Sequence, residues 1–143
     1  MHFTAGAKIV IIILVITLIA ITVGAYYGEK DPVINIHGDG IRIRAMYGLN
    51  IDFNNITDIS LIEDSIRNIG VGMRTNGYGG VGKALKGHFN SRHLGNKLLF
   101  VQSNSSPTIR IERSDGKDIY LSFRNGETTT KLYHDMVTAL SSR

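Results

Sequence analysis

Residues 9–23 read IVIIILVITLIAITV and contain no charged side chain. Apolar character continues through Tyr27, and residues 9–27 would form about 28 Å of helix at roughly 1.5 Å per residue. The hydrocarbon core of a bilayer is about 30 Å thick, so such a helix crosses it with little tilt. A helix that is apolar on every face could not be buried by a chain of this length. We therefore interpret residues 1–28 as an N-terminal transmembrane anchor and residues 29–143 as a domain beside the membrane.

The few charges that flank the apolar run predict the orientation of the anchor. Lys8 precedes the run, whereas Lys30 follows it between two acids. Because Lys and Arg near a span favour the cytoplasmic side, we predict a single-pass protein of the cell membrane with an extracytoplasmic domain. The alternative is a signal peptide, because Val23-Gly24-Ala25 fits a small-residue cleavage site. Cleavage after Ala25 would release a secreted domain that binds an envelope partner.

Composition excludes several classes of function. The chain holds 16 Lys and Arg against 12 Asp and Glu, and it has no cysteine. The positive excess favours anionic surfaces without requiring nucleic acid. The lack of cysteine excludes disulfides, thiol catalysis and cysteine-ligated zinc. Since no catalytic motif emerges either, we predict a non-enzymatic protein without a cofactor or metal, which binds neither nucleic acid nor nucleotide.

Alternation of apolar and polar residues predicts a β-rich domain. The segments that alternate or form short apolar runs are residues 33–36, 41–45, 51–53, 56–62, 98–101, 109–111 and 119–123. Asp115-Gly116 predicts a hairpin between the last two segments. The pattern indicates six or seven antiparallel strands.

The C-terminal residues have a different period, which is typical of a helix. Asn125 can cap a helix that begins near Glu127. Leu132, Met136 and Leu140 then recur every four residues and predict an amphipathic helix packed on the sheet. The fold class is therefore mostly β (α+β), with an N-terminal transmembrane helix and a C-terminal α-helix.

The centre of the chain is basic and rich in glycine. Residues 66–110 contain no acid and eight glycines. We interpret this segment as a ligand- or partner-binding face that meets anionic headgroups, a protein partner or a second copy of the chain. The alternative is a solvated loop that is basic for solubility near headgroups. The residues selected for the face are Arg74, Asn76, Lys83, Lys86, His88 and Arg92.

Motif matches in this segment do not support nucleotide or metal binding. Residues 77–82 fit G-x-G-x-x-G, but the buried parallel strand and the later acid of a dinucleotide site are missing. Residues 77–83 fit G-x-x-x-x-G-K, but Ala84 stands where a Ser or Thr would bind magnesium. His88 and His93 have no cysteine or nearby acid to complete a metal site.

The same segment resembles the central signature of a bacterial pleckstrin-homology (PH) domain family, in residues 74–79 and 85–89. The similarity extends over about residues 33–140, through Gly95, residues 97–100 and Pro107. Members of this family typically carry one or more N-terminal membrane helices. The resemblance implies a PH-like, seven-stranded, strongly bent β-barrel capped by the C-terminal helix, and it supplies no binding residues. We therefore predict a membrane-anchored, non-catalytic binding or assembly module.

Overall fold

A computed structural model describes residues 2–79 and 82–143 and shows an α+β fold with an N-terminal apolar helix. Its helices are α1 (Ala5–Glu29), α2 (Ile66–Ile69) and α3 (Gly126–Ser141), with a 3-10 turn at Phe53–Asn55. The strands within the described residues are β1 (Val33–Ile36), β2 (Gly40–Arg44), β3 (Asn50–Asp52), β4 (Ile56–Ile62), β5 (Met73–Tyr78), β6 (Ala84–Ser91), β7 (Gly95–Gln102), β8 (Thr108–Arg113) and β9 (Asp118–Leu121). They form a three-stranded sheet in the order β1-β2-β3 and a six-stranded sheet in the order β4-β8-β9-β7-β6-β5.

Helix α1 is long and apolar enough to cross a membrane. Its most apolar window has a mean hydropathy of 2.9, and none of that window is buried. The two threonines within the apolar run do not expose free hydroxyl groups. Thr17 donates to the carbonyl of Ile13 and Thr22 to that of Leu18, both at 2.8 Å. These bonds satisfy the hydroxyl donors inside the helix, as an apolar environment requires.

The six-stranded sheet is covered on both faces, which explains why β7 is apolar at successive positions. Leu98 and Phe100 belong to the larger apolar cluster, together with the inner faces of the three-stranded sheet and α3. Leu99 and Val101 point to the opposite face and join a second cluster around Ile66. Adjacent strand residues face opposite sides, so a strand that is buried on both faces has no polar alternation. The predicted buried strand at residues 98–101 is confirmed.

The C-terminal helix forms where its capping signal predicts. The side-chain oxygen of Asn125 accepts a hydrogen bond of 2.9 Å from the backbone N–H of Glu127. Met136 is fully buried in the larger cluster, and Leu132 and Leu140 pack against it. The apolar stripe of α3 is therefore part of the core, and α3 lies against β4 and β8.

The predicted number of strands is wrong, and the antiparallel prediction fails for one strand pair. Nine strands lie in the described residues rather than six or seven, and β9 runs parallel to β7. The connection at residues 103–107 places β8 one strand position away from β7, and the β8–β9 hairpin then inserts β9 into the gap. The predicted strand at residues 51–53 also ends early, because Asp52 accepts a bond of 2.8 Å from the N–H of Asn54 and starts the 3-10 turn. The barrel closure implied by the PH resemblance stays a prediction.

The basic, glycine-rich segment contributes two paired strands. β5 and β6 pair antiparallel. The sequence gives no alternating apolar pattern for β6, because Lys86 and Gly87 interrupt it. The alternative of a solvated loop is therefore wrong for residues 73–78 and 84–91. Gly80 and Val81, in the middle of the two nucleotide-like motifs, lie outside the described residues; the element that follows them is a strand, not the helix that those motifs need.

Candidate functional site

The carboxylate of Glu29 connects the last turn of α1 to the domain through hydrogen bonds. Glu29 Oε1 accepts hydrogen bonds from the hydroxyl of Tyr78 at 2.9 Å and from the N–H of Gly82 at 3.0 Å. Glu29 Oε2 accepts from the N–H of Ala84 at 3.4 Å. Gly28 is buried one residue earlier, and a Cβ atom there would overlap the Tyr78 ring. The end of α1 is thereby tied to the last residue of β5 and to the first residue of β6.

Three side chains from different parts of the domain cap the carbonyl groups at the end of α1. Lys86 Nζ donates to the carbonyl of Tyr27 at 3.4 Å and to that of Lys30. Gln102 Nε2 and Arg124 Nη2 donate to the carbonyl of Glu29 at 3.3 Å and 2.9 Å. The last carbonyls of a helix lack partners within the helix and carry partial negative charge. Two cations and an amide donor therefore meet the groups that most need them.

Lys86 is the centre of this junction, and its side chain is only 2% exposed. Burial lowers the pKa of Lys86, while the carboxylates of Asp31 and Glu29 act in the opposite direction. A buried ammonium needs partners because its loss of hydration is costly. Lys86 is therefore buried rather than exposed on the predicted basic face, and its ammonium binds carbonyl groups at the end of α1.

A groove of about 540 Å³ opens beside the junction. Its lining residues are Ala25, Tyr26, Glu29, Lys30, Asp31 and Arg124. Lys30 Nζ lies 4.2 Å from the ring centroid of Tyr26 and 5.4 Å from that of Tyr27. Asp31 accepts from Gln102 Nε2 at 3.0 Å and from the N–H of Arg124 at 3.4 Å. The groove thus combines an apolar wall from α1 with two exposed cations.

The other residues selected for the basic face are spread over the domain. Lys83 precedes β6 at the junction, whereas Arg92 follows the far end of that strand, about 26 Å away for eight residues at roughly 3.3 Å each. Arg74 Nη1 donates to the carbonyl of Gly79 at 2.9 Å. Asn76 accepts from the hydroxyl of Tyr47 at 3.1 Å. The structure therefore does not bring the six selected residues together.

Of the six selected residues, the structure brings Asn76 and His88 together, because they are partners in the β5–β6 pair and both contact Tyr47. The Nδ1 of His88 lies 3.2 Å from Lys117 Nζ, and the His88 ring meets Tyr47 edge to face at 6.0 Å. Burial lowers the pKa of His88, and the neighbouring ammonium of Lys117 lowers it further. Tyr47 has a φ of 66°, which few side chains adopt without such anchoring. The contacts of Tyr47 join the loop between β2 and β3 to the six-stranded sheet. Across residues 2–79 and 82–143, no three His, Asp or Glu side chains are grouped to hold a metal ion.

A second cleft, of about 290 Å³, lies between the β2–β3 pair and the β8–β9 turn. Its wall includes Asp39, Asp52 and Asp115 together with Arg42. Asp52 already caps the 3-10 turn, and Asp115 accepts from Asn55 Nδ2 at 3.1 Å. The carboxylates of Asp52 and Asp115 therefore stabilise turns.

The sequence reasoning missed most of the junction. Glu29, Asp31, Gln102 and Arg124 were not selected, although the acids that flank Lys30 directly after the apolar run were a local signal. Gln102 and Arg124 had no such signal, because they reach Glu29 across 73 and 95 positions of sequence. Searches of protein families, of curated proteins and of solved structures find no match to this chain.

Proposed function

We propose that this chain is a single-pass membrane protein whose domain is a non-catalytic binding or assembly module at the membrane surface. The exposed apolar surface of α1 is the observation that carries the proposal. Between residues 9 and 23, twelve large apolar side chains are exposed. Leaving them in water would cost on the order of 20 kcal/mol at roughly 1.5–3 kcal/mol per side chain, whereas hydrocarbon would solvate them.

The junction supports a module that is held at a constant height above the bilayer. Residues 30–32 alone separate α1 from β1, and Pro32 among them is buried. The buried Lys86 and the carboxylate of Glu29 connect the helix to β5 and β6. A flexible linker would let the domain tumble, whereas this joint orients it. A fixed orientation suits recognition of a partner, or of another copy, in the plane of the membrane.

The PH-like character and the extracytoplasmic side of the domain are parts of the same proposal. Residues 74–79 and 85–89, which carry the resemblance, lie in and beside the paired strands β5 and β6. Lys8 before the apolar run supports a cytoplasmic N-terminus.

Alkaline carbonate extraction of membranes tests the anchor. The full-length chain should stay in the pellet. The double variant Leu14→Arg/Leu18→Arg should shift towards the supernatant, because each Arg near the centre of a span costs about 3 kcal/mol. Thr57→Arg/Thr128→Arg adds the same charge at exposed positions of the domain and should pellet like the unmodified chain. Recovery of the unmodified chain in the supernatant, with residues 1–28 attached, would overturn the proposal.

A released domain is the second candidate, and one observation favours it. The groups of the N-terminal segment that bond to the domain belong to residues 27–31, downstream of Ala25. Cleavage after Ala25 would therefore leave those groups on the mature protein. The intact mass of the mature chain separates the two candidates, since cleavage removes residues 1–25.

A further inference from the structure

We propose that the groove beside α1 binds the phosphate of an acidic phospholipid headgroup between Lys30 and Arg124. The inference deepens the proposed function and rests on it, because the groove meets lipid only when α1 spans the bilayer. It also moves the headgroup contact away from the basic face selected in the sequence.

The groove lies at the depth of the headgroup layer. Tyr26 and Tyr27 end the apolar run, and aromatic rings with a polar group favour the membrane–water interface. Lys30 follows within one helical turn of Tyr26, which is about 6 Å along the axis. Lys30 Nζ is held over the Tyr26 ring at 4.2 Å. Its ammonium is therefore placed at the level of lipid phosphates.

The charges around the groove leave a positive excess. In the lining, Lys30 and Arg124 balance Glu29 and Asp31, and the buried Lys86 behind them brings the sum to one net positive charge. The two carboxylates already accept hydrogen bonds from the domain. The neighbouring Tyr26 side chain raises the pKa of Lys30 above its ordinary value, which is itself far above neutral pH, and Lys30 is therefore cationic there.

Arg124 supplies the second half of the phosphate site. Its Nη2 donates to the carbonyl of Glu29 at 2.9 Å, which fixes the guanidinium at the mouth of the groove. A guanidinium carries several N–H donors in a fork that suits phosphate oxygens, so further donors can face a ligand. Arg124 is exposed, and it therefore offers these donors without further burial of charge.

The apolar wall identifies a lipid rather than free phosphate as the occupant. The half-buried Ala25 and the exposed Tyr26 extend the apolar surface of α1 into the groove. The acyl chains of a phospholipid can lie along that surface while the phosphate meets the two cations. Free phosphate has no apolar part and would leave this wall uncovered.

The test uses the full-length protein in bilayer nanodiscs of zwitterionic lipid with a minor share of acidic phospholipid. Native mass spectrometry then measures which lipid remains bound. In the variant Lys30→Gln/Arg124→Gln, the preference for acidic over zwitterionic lipid should fall roughly tenfold, since each Lys or Arg near an anionic surface strengthens binding to it. Arg44→Gln/Arg92→Gln removes the same charge at exposed positions of β2 and beyond the far end of β6, and should keep the preference.

Two further arms make the outcomes distinct. Lys30→Arg/Arg124→Lys keeps both charges and should restore the preference, and equal thermal unfolding midpoints would show that the variants remain folded. An equal loss in the Arg44 and Arg92 variant would overturn the groove in favour of diffuse attraction. Displacement of the lipid by millimolar inorganic phosphate would assign the site to free phosphate. A chain that pellets in carbonate without preferring acidic lipid refutes the groove alone, whereas a chain that leaves the membrane refutes the anchor.

Discussion

Replacement of Lys86 by Met should weaken the joint between α1 and the domain. The variant keeps most of the side-chain volume but removes the ammonium that donates to the carbonyls of Tyr27 and Lys30. Two bonds from a charged donor contribute roughly 3 kcal/mol together. Part of this loss is offset, because Met has no charge to bury, whereas burial of the Lys86 ammonium is unfavourable and lowers its pKa. We therefore expect the free energy of unfolding to fall by about 2 kcal/mol.

Lys97→Met is the matched control. Lys97 is also buried, but its Nζ donates to the hydroxyl of Ser91 at 2.9 Å and makes no contact with α1 among the bonds of the described residues. Burial lowers the pKa of Lys97 without a nearby carboxylate acting in the opposite direction. Its replacement by an apolar side chain should change the free energy of unfolding by less than about 1 kcal/mol.

The assay is thermal and chemical unfolding of the full-length protein in detergent micelles, followed by far-ultraviolet circular dichroism. For a domain of this size, 2 kcal/mol corresponds to a fall of about 10 °C in Tm. Limited proteolysis should also cut Lys86→Met faster at residues 29–32 than Lys97→Met, because the helix end is released. Equal Tm values for the two variants, or an unchanged rate of cutting at the joint, would refute the capping role of Lys86.

Three more outcomes follow from the described contacts. Gly28→Ala should lower Tm by several degrees, since the new methyl group overlaps the Tyr78 ring at a typical cost of about 1–3 kcal/mol. Gly24→Ala is the control: its methyl group enters open space and should leave Tm unchanged or raise it. Similar losses of Tm in both variants would contradict the packing of Gly28 against Tyr78. Acidification below the ordinary pKa of 6.5 should destabilise the domain, because the lowered pKa of His88 lets the unfolded chain take up the proton first. His88→Gln should remove that part of the pH dependence of unfolding while His93→Gln keeps it, and the reverse pattern would refute the assignment. Protease treatment of intact cells should remove a C-terminal tag, because the domain is predicted to lie outside the cytoplasm. If the tag survives in cells that are shown to exclude the protease, the domain lies in the cytoplasm.

Much of the secondary structure was predictable because its signals are local. The apolar run predicts α1, and Asn125 followed by residues spaced every four positions predicts α3. Alternation identified β2, β4 and β8 closely, since each has one face against the core. β5 and β6 were missed because Gly77, Lys86 and Gly87 hide the alternation on which a strand prediction depends. Their pairing with each other and with β7 stabilises them instead.

The apolar run near the N-terminus and the period of each later segment are properties of neighbouring residues, so the chain alone specifies a membrane-length helix, a β-rich domain and a final helix. The parallel pairing of β7 with β9, and the meeting of Lys86, Gln102 and Arg124 at the end of α1, depend on residues tens of positions apart. Contacts of that kind arise when separate strands and loops pack together, and no local pattern records them. The local sequence pattern therefore placed Lys86 in a candidate binding face, whereas in the folded protein its buried side chain caps the end of α1.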